Sequence, residues 1–217
     1  MNNVHVKLCL LFALASLLPA GAGAQAFLPV ADGEERVVRE RIAEASREMV
    51  SLTCDFKQTK ELSILDEKML SVGRLYYRQA NRLRWEYLSP YRYTFILNDK
   101  KILMEAETSR NVIDVQSSNL FQEIVRIMMS SINGDGLADI RSFTAAYYRG
   151  EGAWRVTLVP VRREIKKIFS LIELTFNTND YTVDSVRMEE PNGDATFIEL
   201  SAKQFNTGLA DEVFTID

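Results

Sequence analysis

Residues 78–93 read RQANRLRWEYLSPYRY, a stretch in which basic and aromatic side chains are interleaved. Leu83, Trp85 and Tyr87 share one parity, and charged residues occupy the positions between them. Because successive side chains of a strand point to opposite faces, this pattern predicts a strand with one apolar face. The alternative is a nucleic-acid groove, in which rings stack on bases and cations follow phosphates. Glu86 among the arginines favours the strand, whose arginines are expected mostly on a solvated outer face.

The N-terminal residues have the pattern of a secretory signal peptide. An apolar run at 8–18 is followed by the small-residue stretch AGAGAQA at 20–26. We expect a signal peptide over residues 1–26, cleaved after Ala24 or Ala26. The run is too short to anchor the chain in a bilayer, and no cysteine follows the cleavage site. The exported product is therefore expected to be soluble and not lipidated.

Composition excludes several classes of function for the chain that follows. Removing residues 1–26 takes away Lys7, His5 and Cys9, which leaves 25 basic residues against 30 acidic ones and a net charge of −5. Without histidine, the chain has no Ser-His-Asp triad and no His-ligated metal, and no cofactor is expected. Cys54 is the single remaining cysteine, so an intrachain disulfide is excluded. We interpret it as a small packed hydrophobe rather than a redox or intermolecular disulfide residue.

Periodicity predicts an α+β fold in one domain over residues 27–217. Apolar residues at helical spacing indicate amphipathic helices at 35–51 and 119–132, the second with a glycine stop at Gly134 or Gly136. Elsewhere the period is two, and turn signals such as PNGD separate short strands, which is typical of an antiparallel meander.

Four pieces of the sequence resemble one known family. They are FKQ at 56–58, GRLYY at 73–77, NRLRWEYLSP at 81–90, and GDATFIEL with FNTGLADEVF between 193 and 214. In this order and spacing, the chain is similar to the periplasmic lipoprotein carriers of the LolA type over nearly all of residues 27–217.

The resemblance implies a curved antiparallel sheet that forms an incomplete, half-open β-barrel. Amphipathic helices would act as a lid over a hydrophobic cavity for acyl chains, and no enzymatic activity would be expected. It also implies a periplasmic monomer that accepts lipoproteins from an inner-membrane ABC-type release complex and passes them to an outer-membrane acceptor, with no nucleic acid as partner.

The parity of the strands and the stripe of the second helix give a set of candidate cavity residues. These are Leu75, Tyr77, Leu83, Trp85, Tyr87, Phe95, Leu97, Leu120, Ile124 and Met128. Phe121, Val125 and Met129 widen the apolar surface of the helix. Without the resemblance, the same residues would be interpreted as an ordinary core under a covering helix.

The resemblance also implies a position that holds the lid closed. The family has an arginine six residues before the tryptophan, and that position here is Gln79. Arg78 would take the role only if the register slipped by one residue, since its parity places it on the other face. The latch is therefore neutral or absent, which leaves open a lipid-binding or lipid-sensing module with another acylated ligand. An exported hydrolase with paired carboxylates is a further alternative, although the acidic residues fall mainly in turns and on polar strand faces.

Overall fold

The computed structural model describes residues 26–65, 67–79, 81–117, 119–133 and 142–216, without the side chains of residues 120, 121 and 124. The predicted signal peptide, apart from Ala26, and the glycine stop after the second helix lie outside the described residues. The helices are α1 (Asp32–Glu48), α2 (Asn119–Asn133) and the single turn α3 (Arg163–Lys166). The strands are β1 (Leu28–Pro29), β2 (Ser51–Leu62), β3 (Glu67–Arg78), β4 (Arg82–Ser89), β5 (Tyr93–Asn98), β6 (Lys101–Ala106), β7 (Ser109–Asp114), β8 (Phe143–Gly150), β9 (Ala153–Pro160), β10 (Leu171–Asn177), β11 (Val183–Glu189) and β12 (Ala195–Phe205).

In the described part of the chain, all twelve strands belong to one antiparallel sheet. Their order is β1-β8-β9-β10-β11-β12-β2-β3-β4-β5-β6-β7. β1 and β7 are the two edges and do not pair with each other, so the sheet is not closed into a barrel. The predicted fold, an open antiparallel sheet with a few helices, is confirmed.

The two long helices cover one face of the sheet, which we call the inner face. Val38 and Ile42 of α1 are buried over β8–β11, in a cluster with Trp154, Leu174 and Phe176. α2 covers β2–β6 instead, in a second cluster. The members of that cluster include Leu52, Cys54, Phe56, Leu75, Trp85, Leu97, Val125 and Met129. The inner face therefore carries two hydrophobic cores, side by side.

Both ends of α1 differ from the prediction: the helix begins at Asp32 and not at residue 35, and it stops at Glu48 and not at residue 51. Asn206, at the end of β12, accepts hydrogen bonds from the backbone N–H of Val50 at 2.8 Å and Ser51 at 3.3 Å. Its amide donates in turn to the Glu48 carbonyl at 3.1 Å. A residue distant in sequence thus binds the last carbonyl of α1 and two N–H groups just beyond the helix end.

The C-terminal segment (residues 207–216) packs on the opposite, outer face of the sheet. Phe214 is fully buried there against β5 and β6. Arg78 and Arg82 both bind the Asp211 carboxylate, and hydrogen bonding from Arg78 is the largest cause that lowers the pKa of Asp211. The side chains of the two arginines are only 22% and 27% exposed. The expectation of a mostly solvated outer face is wrong for them, since the C-terminal segment covers this part of the sheet.

Gly73 lies where β2, β3 and β4 come closest on the inner face. A Cβ at this position would stand 2.0 Å from the Glu86 carbonyl oxygen and 2.6 Å from the Phe56 ring. The missing side chain lets the Phe56 ring lie across β3, where it contacts Trp85 and Tyr87 with ring centroids 5.0 and 5.1 Å away. The glycine is therefore required by close approach.

Candidate binding cavity

A cavity of about 290 Å³ lies on the inner face beneath α2, where the two hydrophobic cores meet. This volume is at the small end of the range of ligand sites, roughly 300–1,000 Å³. Its wall consists of Gln58, Leu75, Trp85, Tyr87, Tyr93, Phe95, Ile127, Met128, Ser131, Ile132, Phe169, Val186, Met188, Ile198 and Leu200. Among the described residues, no charged side chain lines it. The wall is predominantly aliphatic and aromatic.

The cavity wall shows that the sheet is curved. Phe95 on β5 and Met188 on β11 line the same cavity, yet five strand-to-strand steps separate them in the sheet order. At about 4.8 Å a step, a flat sheet would hold them roughly 24 Å apart. Side chains at that separation share one small cavity only if the sheet bends around it.

Inward-facing side chains on β2–β6 form three parallel rows, fixed by the strand register. The first row is Leu52, Tyr77, Leu83, Leu97 and Ile102. The second is Cys54, Leu75, Trp85, Phe95 and Met104. The third is Phe56, Gly73, Tyr87, Tyr93 and Ala106. Exposure is at most 4% in the first row, and Tyr87 and Tyr93 in the third are half-buried, so the cavity opens beyond the third row. We call that opening the mouth.

The rows explain where the structure places the predicted cavity residues. Five of them line the wall: Leu75, Trp85, Tyr87, Phe95 and Met128. Tyr77, Leu83 and Leu97 point to the same face but belong to the first row, so they form packed core behind the cavity and not its wall. The side chains of Leu120 and Ile124 lie outside the described residues.

Gln58 and Tyr93 were not among the predicted cavity residues, and two larger parts of the wall were also not identified from the sequence. α2 contributes Ile127, Ser131 and Ile132 beside Met128, and these residues continue the predicted stripe toward the end of the helix. β11, β12 and the loop after α3 supply the wall opposite β3–β5. Their alternating apolar residues are visible in the sequence, but nothing in it shows that these strands face the same space as Trp85.

The polar groups of the wall are concentrated at the mouth. The Tyr87 hydroxyl donates a hydrogen bond to Gln58 Oε1 at 2.9 Å, and the rings of Tyr87 and Tyr93 are 6.0 Å apart. Burial is the main cause that raises the pKa of Tyr87 to about 12, and burial also raises the pKa of Tyr93. Both phenols are therefore neutral at physiological pH. A fourth polar wall residue, Ser131, lies on α2 and donates to the Ile127 carbonyl at 2.8 Å within the helix.

Polar contacts at both ends hold α2 over the cavity. Near its start, Glu123 forms ion pairs with Arg126 and with Arg162, which lies just before α3. Near its end, Asn133 donates a hydrogen bond to the Tyr77 hydroxyl at 3.3 Å. Glu123 has a side chain only 15% exposed, so its charge is held close to the two guanidinium groups. Sequence reasoning did not identify the contacts of Glu123 with Arg162 and of Asn133 with Tyr77, because each joins residues that are distant in the chain.

The expected latch position contacts α1. Gln79 Nε2 donates to the Arg47 carbonyl, in the last turn of α1, at 3.1 Å. Arg78 faces the other way, onto the C-terminal segment, and donates to the Leu209 carbonyl at 2.6 Å. β3 and β4 pair without a slip from Gly73 to Arg78, so the register counted from Trp85 holds here.

Other features of the described residues add no second type of chemistry. No group of three or more metal-ligating side chains converges within the described ranges. Cys54 is buried, and desolvation is the main cause that raises the pKa of its thiol to about 12. None of the helices in the described part of the chain combines the length and apolar character needed to cross a bilayer.

Comparison with protein families matches residues 47–217 to the outer membrane lipoprotein carrier protein LolA. MucB is 12% identical with a TM-score of 0.52, covering 86% of this chain and 64% of MucB. A conserved protein from Thermus thermophilus is 12% identical with a TM-score of 0.51, covering 83% of this chain and 92% of the other. Lipoprotein LppX from Mycobacterium tuberculosis is 9% identical with a TM-score of 0.47, covering 83% of this chain and 99% of LppX. The search of curated proteins found no match.

The open antiparallel sheet, the helices on its inner face and the apolar cavity define a protein of the incomplete-barrel class. The chain belongs to the LolA family, whose model matches more than three quarters of it.

Proposed function

We propose that this protein is a periplasmic carrier that shields the acyl chains of lipoproteins during their transfer from the inner to the outer membrane. The observation that supports it most is the cavity, which is apolar, lined by no charged described residue and open at one end. Family membership agrees with this role. The proposal includes no catalytic step.

The energetic reason for such a carrier is the cost of exposing acyl chains to water. Each methylene costs about 0.8 kcal/mol, so two or three long chains cost tens of kcal/mol. A cavity of broad aromatic and Met side chains offsets much of that cost without fixing a chain in one pose. Release then needs no strong polar contact to be broken.

The proposed partners follow from the same role. An inner-membrane ABC-type complex would supply the lipoprotein, and an outer-membrane acceptor would receive it. The carrier would act as a monomer. Its edge strand β7 is six residues long and mostly polar. Both features disfavour the addition of a strand from a second copy.

A second candidate keeps the fold and changes the ligand. The neutral Gln79 bonds to α1 where the family has an arginine, so closure of the helices over the cavity need not follow the family's pattern. This favours a lipid-binding or lipid-sensing module that takes another acylated molecule.

Native mass spectrometry of the protein purified from the envelope of its own cells would test the carrier role. We expect masses of bound lipoproteins, and free lipid or glycolipid masses would support the second candidate. Phe95→Glu places a charge on the half-buried part of the wall and should abolish the bound mass. Val159→Glu is the matched control, because Val159 is exposed on β9 with the parity of the outer face. Equal loading of a folded Phe95→Glu variant and the control would contradict the role of this cavity.

A further inference from the structure

The cavity changes in polarity along its depth. Its deep wall, around Leu75 and Trp85, is predominantly apolar: Ser131 bonds within α2, and the buried Trp85 Nε1 has no partner among the described residues. Its mouth carries Gln58, Tyr87 and Tyr93. We call these three residues the collar. An amphiphile that enters tail first would leave its polar linkage at the collar.

The collar has unused hydrogen-bonding groups. The Tyr87 hydroxyl and Gln58 Oε1 bind each other, which orients the Gln58 amide. In the described part of the chain, neither Gln58 Nε2 nor the Tyr93 hydroxyl has a hydrogen-bond partner. Both can donate, so the collar presents two neutral donors to a ligand.

The collar is poorly suited to an anion. Among the described residues, the wall contains no lysine or arginine. Lys60 is the next inward position on β2 beyond Gln58, and its ammonium is 3.3 Å from the Glu190 carboxylate, which compensates its charge. A carboxylate or phosphate held here would lose hydration without gaining an unpaired cation.

We propose that the collar binds the carbonyl of an ester or amide linkage, which makes the cavity selective for neutral acyl esters and amides over free fatty acids and alkyl phosphates. The inference rests on the proposed function, because it assumes that acyl chains fill the cavity. It adds the chemical class of the linkage and names Gln58 as the residue that determines it.

Quenching of Trp85 fluorescence by brominated chains measures this selectivity directly, since Trp85 lies on the wall. Trp154 is the other tryptophan and belongs to the core under α1, so a Trp154→Phe background makes Trp85 the single reporter. Three probes share one chain: dibromostearate methyl ester, dibromostearate, and dibromo-octadecane. At about pH 8 the second is an anion and the other two are neutral.

We expect the ester to bind about fivefold more tightly than the hydrocarbon, which is the effect of one neutral hydrogen bond of about 1 kcal/mol, and more tightly than the carboxylate. Gln58→Leu should reduce the advantage of the ester over the hydrocarbon, and Gln58→Leu combined with Tyr93→Phe should remove it. Tyr87→Phe should also reduce it by freeing the Gln58 amide. Gln58→Lys should reverse the preference, so that the carboxylate binds best. Gln204→Leu, the same change at an exposed position of β12, should leave all three affinities unchanged.

The outcomes separate this inference from the proposed function. Equal affinity of the wild type for ester and hydrocarbon, or an ester preference that survives Gln58→Leu combined with Tyr93→Phe, would overturn the role of the collar while chain binding stands. No quenching by any probe would instead remove the acyl-chain cavity itself, and the collar with it.

Discussion

At Gly73, any side chain would collide with the backbone of β4 and with the Phe56 ring. We expect Gly73→Ala to lower the free energy of unfolding by at least about 1–3 kcal/mol, because the new methyl group must displace a carbonyl oxygen or an aromatic ring. Urea unfolding of the purified variant would measure the loss.

Gly33→Ala is the matched control for this substitution. Gly33 lies in the first turn of α1, and a Cβ there meets nothing within 4 Å. Its unfolding free energy should stay within about 0.5 kcal/mol of the wild type. If both alanine variants are equally stable, the close approach at Gly73 does not constrain the sheet.

Stability should also fall in alkaline solution, because burial raises the pKa of the Cys54 thiol from 9.0 to about 12. The unfolded chain ionises this group near its ordinary pKa while the folded chain still holds the proton. Stability is therefore full below pH 9 and falls above it, by about 1.4 kcal/mol per pH unit for one group. Tyr87 and Tyr147, raised from 10.0 to about 12, extend the loss above pH 10.

Urea unfolding at pH values from 8 to about 10 would show the loss, and Cys54→Ala should flatten the slope between pH 9 and 10. In protein that lacks residues 1–26, a thiol reagent should modify Cys54 in urea but not under native conditions. Equal reaction rates in both states would show that the thiol is accessible and the raised pKa is not realised.

For single residues, the sequence predicted the face of the sheet on which a side chain lies, but not its depth below the surface. The alternation around Trp85 indicated its face, because strand parity is a local property. It did not indicate depth, so Tyr77, Leu83 and Leu97 could not be distinguished from the wall residues Leu75 and Phe95. Depth depends on which row α2 covers, and the sequence of the strands does not contain that information.

At the level of elements, both long helices were predicted from their apolar spacing, and the bounds of α2 to within one residue, whereas the end of α1 depended on a contact made elsewhere. α1 ends three residues early because Asn206 binds the chain at Val50 and Ser51. The tether of α2 to Arg162 and the cover of Arg78 by the C-terminal segment have the same origin. Each needs two distant segments to meet, which local periodicity does not encode.

The contact of Gln79 with α1 leads to a prediction about helix stability. Gln79→Arg should slow hydrogen exchange in the last turn of α1, at residues 45–49, because a guanidinium there would make charge-assisted bonds to carbonyls at the negative end of the helix. Exchange in α2, at residues 119–133, should not change. Hydrogen exchange with mass spectrometry, resolved by peptide, gives both values in one experiment.

Gln79→Leu serves as the opposite variant, since it removes the bond to Arg47 and should speed exchange in the same turn. Protection that rises in α2 but not in α1 would mean that residue 79 acts on the helix over the cavity, as the family resemblance implies.

For the whole molecule, the open antiparallel sheet was predictable because turns and alternation define strands and their neighbours in the chain. The curvature was not, since it is produced by twelve strands together and places β11 and β12 opposite β4 and β5. The four wall residues on β11 and β12 were missed for that reason. The two cores that meet at the cavity are likewise a property of the assembled sheet, with Met188 and Leu200 packing against both.

The cavity has a consequence for how the molecule responds to hydrostatic pressure. Pressure favours the state of smaller volume, and unfolding eliminates whatever part of the cavity of about 290 Å³ is not filled by water. Occupation by a long-chain ester should make the volume change of unfolding less negative, an effect separate from ordinary stabilisation by binding, which shifts the midpoint alone. High-pressure fluorescence with and without dibromostearate methyl ester would measure the slope of the unfolding free energy against pressure, which is the volume change of unfolding. An unchanged slope would indicate that water already fills the space, in which case a ligand exchanges with solvent and does not enter a dry void.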